Sequence, residues 1–280
     1  MRRSLLFIPA NTPAMLQNAD IFDADGIIFD LEDAIQMSEK DAARDLLTEY
    51  LKLNTLKDVE LIVRINDLDS PFFEKDLESC LAWPIHTIML PKASYSAIEK
   101  LDLLLHKFEK KQKRAMMLVI PIIEQAKSLF EVDRIASHPR VTALLLGGED
   151  LATDLGVERT REGEEILLAR QLVVYAAKAY QKEAIDTPFT DVSSKEGLSY
   201  DAEHAKRLGM TAKACIHPIQ IDVINETFMP SQKEIDEATR IVELEALAIK
   251  NGKGAFSMDG KMIDKPIILR AKKLLERVKS

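Results

Sequence analysis

Carboxylate side chains that could bind a metal follow three separate apolar runs in the chain. Glu32 and Asp33 follow one run, Glu124 follows another, and Glu149 and Asp150 follow a third. Carboxylates that meet in one place repel each other unless a cation or a proton lies between them. Because all of these ligands are oxygens, the pattern predicts a site for a hard cation, Mg²⁺ or alternatively Mn²⁺.

Helix capping is the alternative role for these acids, because side-chain oxygens often accept hydrogen bonds from the first amides of a helix. Capping stays open most of all for Glu32 and Asp33. The pair Gly147-Gly148 favours a ligand site at Asp150, since two glycines let the backbone approach a bound group closely.

Arg64 is the candidate for binding an anionic or ketonic substrate. It follows Leu61-Ile62-Val63 directly, where the chain should be buried. A guanidinium there can form paired hydrogen bonds with a carboxylate or with an oxygen that gains charge. The alternative is a structural ion pair between Arg64 and one of the nearby acids.

Lys92 follows Leu90-Pro91 and has the position of a Schiff-base lysine. The surrounding acids would stabilise its charged form, so a contact with a phosphate or carboxylate is favoured over a Schiff base. Asn11, after the first apolar run, is a further candidate for contacting the substrate. His217 could be a general base, but a structural role is favoured for a histidine before proline.

Composition places these residues in one medium-sized enzyme domain. The chain has 280 residues, close to the roughly 250 of a single α/β barrel and too few for two ordinary enzyme domains. A net charge of −8 argues against a general nucleic-acid-binding protein. It leaves room for a local basic pocket.

The two cysteines and the absence of long apolar runs indicate where the protein resides. Cys80 and Cys215 form neither a disulfide framework nor a zinc spacing, which suits a reducing compartment. The N-terminal apolar run is too short for a signal peptide, and no run reaches 18 residues. We therefore expect a soluble, cytoplasmic protein with no membrane partner.

Eight short apolar runs alternate with stretches of helical periodicity. Most of the runs are apolar without alternation, which is typical of parallel strands buried on both faces. Eight strand–helix alternations predict a (β/α)₈ TIM barrel, with an open doubly wound sheet of fewer strands as the alternative. The predicted strands are 4–8, 26–31, 61–65, 87–90, 116–123, 143–146, 184–187 and 212–216.

The ends of these strands explain how distant acids can form one site. In a barrel, the active site lies at the carboxyl ends of the strands. Nearly every predicted strand is followed by a charged or polar residue. Together they would form a polar, mostly acidic pocket, and this pattern is more specific than any single motif in the chain.

The last fifty residues lie beyond the eighth strand, so we divide the chain into a barrel at 1–230 and a C-terminal arm at 231–280. Ser231 and Glu234 form a capping-box signal for a helix over about 235–250. Asn251-Gly252-Lys253-Gly254 then breaks this helix, residues 255–265 are expected to be an exposed loop, and Pro266 opens a final helix of roughly three turns. Such an arm suits a lid or a contact with a neighbouring subunit.

Over essentially its whole length the sequence resembles the β subunit of citrate lyase and the malyl-, citramalyl- and citryl-thioester lyases. These enzymes belong to the metal-dependent barrel superfamily that includes 2-oxo-acid aldolases. The resemblance depends on RSLLFIP (3–9), FDLEDA (29–34), VRIN (63–66), LPK (90–92), IE (123–124), GGEDLA (147–152), IHP (216–218) and GKMIDKP (260–266).

The resemblance implies a role for each candidate residue. It implies that Glu124 and Asp150 ligate Mg²⁺, that Glu32 and Asp33 hold its waters, and that Arg64 binds a substrate oxygen. It also implies that Asp264 is a lid aspartate that acts in the site of a neighbouring subunit. A homotrimer or homohexamer is then expected, with citrate lyase partner subunits as a further option.

The function implied is Mg²⁺-dependent cleavage of a 3-hydroxy-carboxyacyl thioester to a 2-oxo acid and an acetyl thioester. The acyl group would be citryl, citramalyl or malyl, carried on coenzyme A or on an acyl-carrier protein. The segments at 147–150 and 185–191 look closer to the free-standing coenzyme A lyases than to complex-bound subunits. The alternatives are a metal-dependent aldolase acting on free 4-hydroxy-2-oxo acids and a non-catalytic subunit of a citrate lyase complex.

Overall fold

A computed structural model of the chain describes residues 2–54, 56, 59–250 and 255–279. It contains two compact units, one comprising Arg2–Phe228 and the other beginning at Met229. None of the helices in the described residues is both long and apolar enough to cross a membrane.

The first unit is built around eight parallel strands that close into a barrel in sequence order. The barrel closes where Ser4 pairs with Lys213 and Leu6 pairs with Cys215. This confirms the predicted (β/α)₈ barrel and excludes the open sheet. The strands are β1 (Ser4–Pro9), β2 (Gly26–Asp30), β3 (Glu60–Arg64), β4 (Thr87–Leu90), β5 (Leu118–Ile123), β6 (Ala143–Leu146), β7 (Glu183–Asp186) and β8 (Ala212–Cys215).

Helices surround the strands and follow each of them. They are α1 (Pro13–Gln17), α2 (Lys40–Leu53), α3 (Phe73–Ala82), α4 (Tyr95–Gln112), α5 (Ala126–Ser137), α6 (Gly148–Leu155), α7 (Leu167–Ala179), α8 (Lys195–Leu208) and α9 (Ile221–Phe228). Short 3₁₀ turns occupy Met37–Glu39, Glu164–Ile166 and Pro218–Gln220.

Two layers of apolar side chains explain why the strands carry unbroken apolar runs. Successive side chains of a strand point to opposite faces of the sheet. In β2, Ile28 belongs to the cluster inside the barrel, whereas Ile27 and Phe29 belong to the cluster between the strands and the helices. Both faces of the strands are therefore buried. Because such strands are apolar along their length, all eight could be predicted from the sequence.

The second unit is a pair of helices with a small hairpin between them. It contains α10 (Gln232–Lys250), β9 (Phe256–Met258), β10 (Lys261–Ile263) and α11 (Lys265–Lys279). The capping box that predicts α10 is present, because the backbone N–H of Ser231 donates to Glu234 at 2.8 Å and the N–H of Glu234 donates back to the Ser231 hydroxyl at 3.3 Å. The predicted break at 251–254 lies outside the described residues.

The prediction of an exposed loop at 255–265 is wrong. Strands β9 and β10 pair antiparallel there, and Met258 and Ile263 are buried. The turn between them has positive φ at both Asp259 and Gly260, 51° and 76°. An Asp-Gly pair in this conformation is a tight hairpin turn, and it outweighs the polar character of the segment.

Candidate active site

One pocket lies at the carboxyl ends of the barrel strands and has a volume of 420 Å³. Both apolar and polar side chains line it. The apolar side chains on it include Phe7, Pro9, Ile122, Leu145, Pro188 and Ile216. The polar ones are Asp30, Asp33, Arg64, Glu124, Glu149, Asp150 and Thr187. We call this cavity the barrel pocket.

Arg64, the last residue of β3, is held in a fixed orientation at the floor of the barrel pocket. Its Nε and Nη2 donate to the two carboxylate oxygens of Asp30 at 2.7 and 2.6 Å. The remaining nitrogen, Nη1, lies 3.1 Å from Glu32 and 3.3 Å from Asp33. The guanidinium also lies 5.0 Å above the ring of Phe7. Arg64 therefore forms the structural ion pair that was its alternative role, and it also lines the barrel pocket.

Glu124 follows β5 and is almost completely buried, with 4% of its surface exposed. One carboxylate oxygen accepts a hydrogen bond of 2.5 Å from the backbone N–H of Lys92. Burial raises the pKa of Glu124 to about 7, and the nearby charge of Asp150 adds to the rise against the hydrogen bond from Lys92. The carboxyl group is thus costly to ionise without a cation beside it.

Gly147 makes room for this carboxyl group. A Cβ atom on Gly147 would lie 2.6 Å from Cβ of Glu124 and 2.8 Å from its Oε2. Two carbons in normal contact are about 3.5–4.0 Å apart, so only glycine fits here. The group that approaches this glycine closely is the Glu124 side chain, and the approach of a bound ligand stays a prediction.

Asp150 is an exposed residue in the first turn of α6, and its carboxylate faces the barrel pocket. The helix begins at Gly148, whose backbone N–H donates to the hydroxyl of Thr187 at 2.9 Å. Gly147, the residue before the helix, provides no side-chain cap. The start of the helix that carries Asp150 is therefore hydrogen-bonded to Thr187, the residue after β7.

Glu32 is buried between two cations and does not line the barrel pocket. One oxygen lies 3.1 Å from Arg64, and the other accepts from the Lys92 ammonium at 3.4 Å. Burial raises the pKa of Glu32 to about 8, and Asp33 contributes to the rise while Arg64 opposes it. Asp33 is largely exposed at the pocket edge, so the two predicted neighbours have different environments.

Lys92 and Asn11 are not brought into the barrel pocket. The Lys92 ammonium donates to Asp67 at 3.1 Å as well as to Glu32. Although partial burial opposes the charge, these carboxylates raise the pKa of Lys92, which agrees with the argument against a Schiff base. Lys92 has a positive φ of 47°, and its backbone N–H is what contacts Glu124. The Asn11 side chain accepts a 3.4 Å hydrogen bond from the Thr12 hydroxyl.

Asp264 belongs to the C-terminal unit, where it precedes α11. Its backbone carbonyl accepts from Ile268 at 3.1 Å, and its carboxylate accepts from the N–H of Ile267 at 3.4 Å. In this unit Asp264 is therefore a helix cap. The predicted lid role of Asp264 stays a prediction.

The charge of the barrel pocket fits a divalent cation. Among the described residues that line it, five are carboxylates and Arg64 is the one basic side chain. No set of three or more histidine, cysteine or acidic residues among the described ones is arranged to hold a metal. A magnesium site does not need three, because Mg²⁺ commonly binds through one or two carboxylates and keeps several waters. Glu124 and Asp150 are suitable ligands on these grounds.

Two features of the site escaped the sequence analysis. Asp30 is the main partner of Arg64, although it was visible only as one polar strand ending among several. Thr187 contacts Gly148, although it had been counted as the end of an apolar run. Both contacts depend on which neighbouring strand each residue faces, and the order of residues along the chain does not reveal that.

The sequence profile of the HpcH/HpaI aldolase/citrate lyase family matches residues 3–218. The chain belongs to this family. That match covers all eight barrel strands and the residues that line the barrel pocket. Several relatives of the chain are beta subunits of citrate lyase at 36–38% identity, and the chain is an enzyme of the same carbon–carbon lyase class.

Relatives within the family match the chain from end to end. The citrate lyase subunit beta of Haemophilus influenzae is 38% identical over 285 residues, covering 100% of this chain and 98% of the relative. A (3S)-malyl-CoA thioesterase of Cereibacter sphaeroides is 31% identical and covers 99% and 95%. The protein CitE of Mycobacterium tuberculosis, solved in complex with magnesium, acetoacetate and coenzyme A, has a TM-score of 0.83 and 29% identity, covering 100% and 98%.

Proposed function

We propose that this family member cleaves a 3-hydroxy-carboxyacyl thioester to a 2-oxo acid and an acetyl thioester, with Mg²⁺ held by Glu124 and Asp150. The observation that carries the proposal is that the buried carboxyl group of Glu124, which is costly to ionise without a cation, lines the same pocket as the fixed guanidinium of Arg64. A cation and Arg64 together suit a substrate that has both a carboxylate and a neighbouring oxygen. The magnesium and coenzyme A bound by the M. tuberculosis protein support the same chemistry.

The bond to be broken lies between the hydroxyl-bearing carbon and the carbon next to the thioester carbonyl. The hydroxyl gives its proton to a general base and becomes the carbonyl of the 2-oxo acid. The electron pair of the broken bond passes to the carbon next to the thioester carbonyl and is delocalised as an enolate, which takes up a proton at that carbon to give the acetyl thioester. Bound Mg²⁺ would supply Lewis acidity toward the substrate hydroxyl and carboxylate.

The side chains of the chain itself orient the substrate and balance its charge. Asp30 accepts from Nε and Nη2 of Arg64, so the guanidinium is preorganised, and its Nη1 lies 3.3 Å from the pocket-lining Asp33. Preorganised donors stabilise an oxygen whose charge changes without the cost of reorientation. We assign to Asp264, supplied by another copy of the chain, the proton transfer at the enolate carbon.

The proposal extends to the group that carries the thioester and to the assembly of the protein. Relatives of this chain include a subunit of citrate lyase at 38% identity and a coenzyme A thioesterase at 31%. We propose coenzyme A as the first carrier to test, and a homotrimer or homohexamer as the assembly that delivers Asp264. Association with citrate lyase partner subunits is the alternative assembly.

The C-terminal region favours a thioester substrate over a free 4-hydroxy-2-oxo acid. The family profile ends at residue 218, whereas the (3S)-malyl-CoA thioesterase and the citrate lyase subunit beta align over 99–100% of the chain. The residues beyond the barrel therefore resemble those of thioester-related proteins. An aldolase acting on free oxo acids is the second candidate, because the family name includes such enzymes.

The decisive experiment is incubation of the protein and Mg²⁺ with citryl-, citramalyl- and malyl-CoA, followed by identification of the 2-oxo acid released. Oxaloacetate, pyruvate and glyoxylate distinguish the three acyl groups. Parallel reactions contain a 4-hydroxy-2-oxo acid without a thioester, and an acyl-carrier thioester in place of coenzyme A. We expect release only from a thioester, and only with the divalent cation.

Matched substitutions connect the activity to the barrel pocket. Asp150→Asn removes a proposed ligand from the first turn of α6, whereas Glu196→Gln removes an exposed acid from the first turn of α8 outside the pocket. We expect the first change to abolish the Mg²⁺ response and the second to preserve it. Cleavage that proceeds equally in excess EDTA would refute the proposed metal chemistry.

A further inference from the structure

Four charged side chains form a fully buried group beside the barrel pocket. Arg170 of α7 and Lys213 of β8 are 0% exposed, as is Asp186 at the end of β7, and Asp201 of α8 is 2% exposed. Arg170 donates to Asp186 at 2.9 and 3.0 Å and to Asp201 at 2.6 Å. Lys213 donates to each aspartate at 2.6 Å. We call these four residues the buried ion cluster.

Stability alone does not explain the buried ion cluster. Removing charges from water is expensive, and well-packed apolar side chains of similar volume often stabilise a fold equally well or better. The charged groups instead fix the relative positions of the residues that they contact, because each proton of the lysine ammonium needs an acceptor in a defined direction. The third proton of Lys213 goes to the backbone carbonyl of Thr187 at 2.7 Å.

Thr187 is the point where the buried ion cluster meets the barrel pocket. It is 1% exposed, lines the pocket, and accepts the Gly148 N–H on its hydroxyl at 2.9 Å. The contact is tight, because a Cβ atom on Gly148 would lie 2.9 Å from that hydroxyl oxygen and 3.1 Å from Cγ2.

The hydroxyl of Thr187 replaces a missing helix cap. The first amides of a helix have no acceptor within the helix, and a side chain of the preceding residue usually supplies one. The residue before α6 is Gly147, which has no side chain to do so. The hydroxyl of Thr187, the residue after β7, therefore accepts from the first residue of α6, and Asp150 lies two residues after that donor.

We propose that Thr187 is a positioning residue that aims the Asp150 carboxylate into the barrel pocket, and that the buried ion cluster holds Thr187 in place. The inference rests on the proposed function in that Asp150 is taken as a ligand of Mg²⁺. Thr187 does not ligate the cation. It acts through Gly148 and the first turn of α6.

The test compares Thr187→Val with Thr187→Ser in the full-length protein. Valine has nearly the shape of threonine but no hydroxyl, whereas serine retains the acceptor. Mg²⁺ affinity is measured by titration calorimetry in the absence of substrate. We expect T187V to bind Mg²⁺ about 10–100-fold more weakly, as is typical when a group supporting a metal ligand is removed, and T187S to remain within about threefold of the unaltered protein.

Thr211→Val is the matched control at the opposite end of the barrel. The Thr211 hydroxyl accepts from the backbone N–H of Ala184 at 3.2 Å and donates to its carbonyl at 3.1 Å. T211V therefore also removes a threonine hydroxyl bound to the backbone of β7. We expect it to lower the unfolding temperature without weakening Mg²⁺ binding.

A second measurement separates this inference from the proposed function. Amide hydrogen exchange at Gly148, followed without metal, should be at least about tenfold faster in T187V than in T187S, because an amide that loses its acceptor opens more readily. Unchanged exchange in T187V, or unchanged Mg²⁺ affinity in a protein that binds Mg²⁺, would overturn the inference. If the unaltered protein binds no Mg²⁺, the proposed function fails, and exchange at Gly148 alone decides the anchoring of α6. Should T187V not fold, Thr187→Ala serves in its place.

Discussion

Replacing Glu124 with glutamine should stabilise the metal-free protein at alkaline pH. The folded-state pKa of this carboxyl group is raised from 4.5 to about 7. Between these two pH values the native protein keeps a proton that the unfolded chain has released, so stability falls as pH rises through this window. Above pH 7 the full penalty applies. One pKa unit corresponds to about 1.4 kcal/mol, which places the penalty on the order of 3 kcal/mol.

Glutamine avoids this penalty, because its amide is neutral and can still accept the hydrogen bond from the Lys92 backbone. In EDTA at pH 8, we expect Glu124→Gln to unfold with a free energy on the order of 3 kcal/mol greater than that of the unaltered protein. At pH 5 the difference should shrink to about 1 kcal/mol or less, since the native carboxyl group is then protonated. Saturating Mg²⁺ should reverse the order, because only the unaltered protein gains binding free energy.

Urea unfolding at both pH values, with EDTA and with Mg²⁺, measures each of these differences. Glu196→Gln, at an exposed acid in the first turn of α8, is the control and should track the unaltered protein throughout. A Glu124→Gln protein that is no more stable than the unaltered one at pH 8 in EDTA would show that this carboxyl group is not strained by burial. Equal Mg²⁺ stabilisation of both proteins would remove Glu124 from the ligand set.

Three further substitutions test the rest of the site. Arg64→Ala should lower kcat/KM on the order of a thousandfold with Mg²⁺ affinity retained, and near-normal turnover would exclude Arg64 from the mechanism. Asp264→Asn should slow turnover and leave Mg²⁺ affinity intact, whereas a loss of affinity in calorimetry would mean that the residue has been misplaced. Gly147→Ala introduces a Cβ atom 2.6 Å from that of Glu124, so it should weaken Mg²⁺ binding about 10–100-fold; unchanged affinity would contradict the close packing.

The barrel could be predicted from the sequence because its strands are buried on both faces. A run such as β4 (Thr87–Leu90) is buried at every position, and its last three residues are all apolar. The small hairpin of the C-terminal unit was missed for the opposite reason. Its strands are three residues long, and only Met258 and Ile263 are buried in them. The Asp259-Gly260 pair was the available signal for a turn.

The site was predictable in its residue types and less so in its contacts. Strand endings identified Arg64, Glu124 and Asp150, all of which line the barrel pocket. They also suggested Lys92 and Asn11, which do not. A strand ending is polar for several reasons, including backbone hydrogen bonding and contacts between loops. The sequence pattern does not separate these from contact with a ligand.

The sequence alone also did not predict that the four residues of the buried ion cluster lie together. Its four members are spread over 44 positions, from Arg170 to Lys213. Lys213 was the one visible sign, since a lysine inside a short, otherwise apolar strand is seldom buried without a partner. Finding that partner requires knowing that β7 and β8 are neighbours, which only the closed barrel provides.

The candidate site residues come from two different halves of the barrel. The guanidinium and the acids that hold it come from β2 and β3, whereas Glu124, Asp150 and their supporting threonine come from β5 to β7. Under the proposed function, the first half of the barrel would bind the organic substrate and the second half would bind the Mg²⁺ ion. Grafting the first half of a related barrel onto the second half of this one should change which acyl group is accepted while the demand for magnesium persists. Such chimeras offer a route to new substrates that leaves the ion-binding machinery untouched.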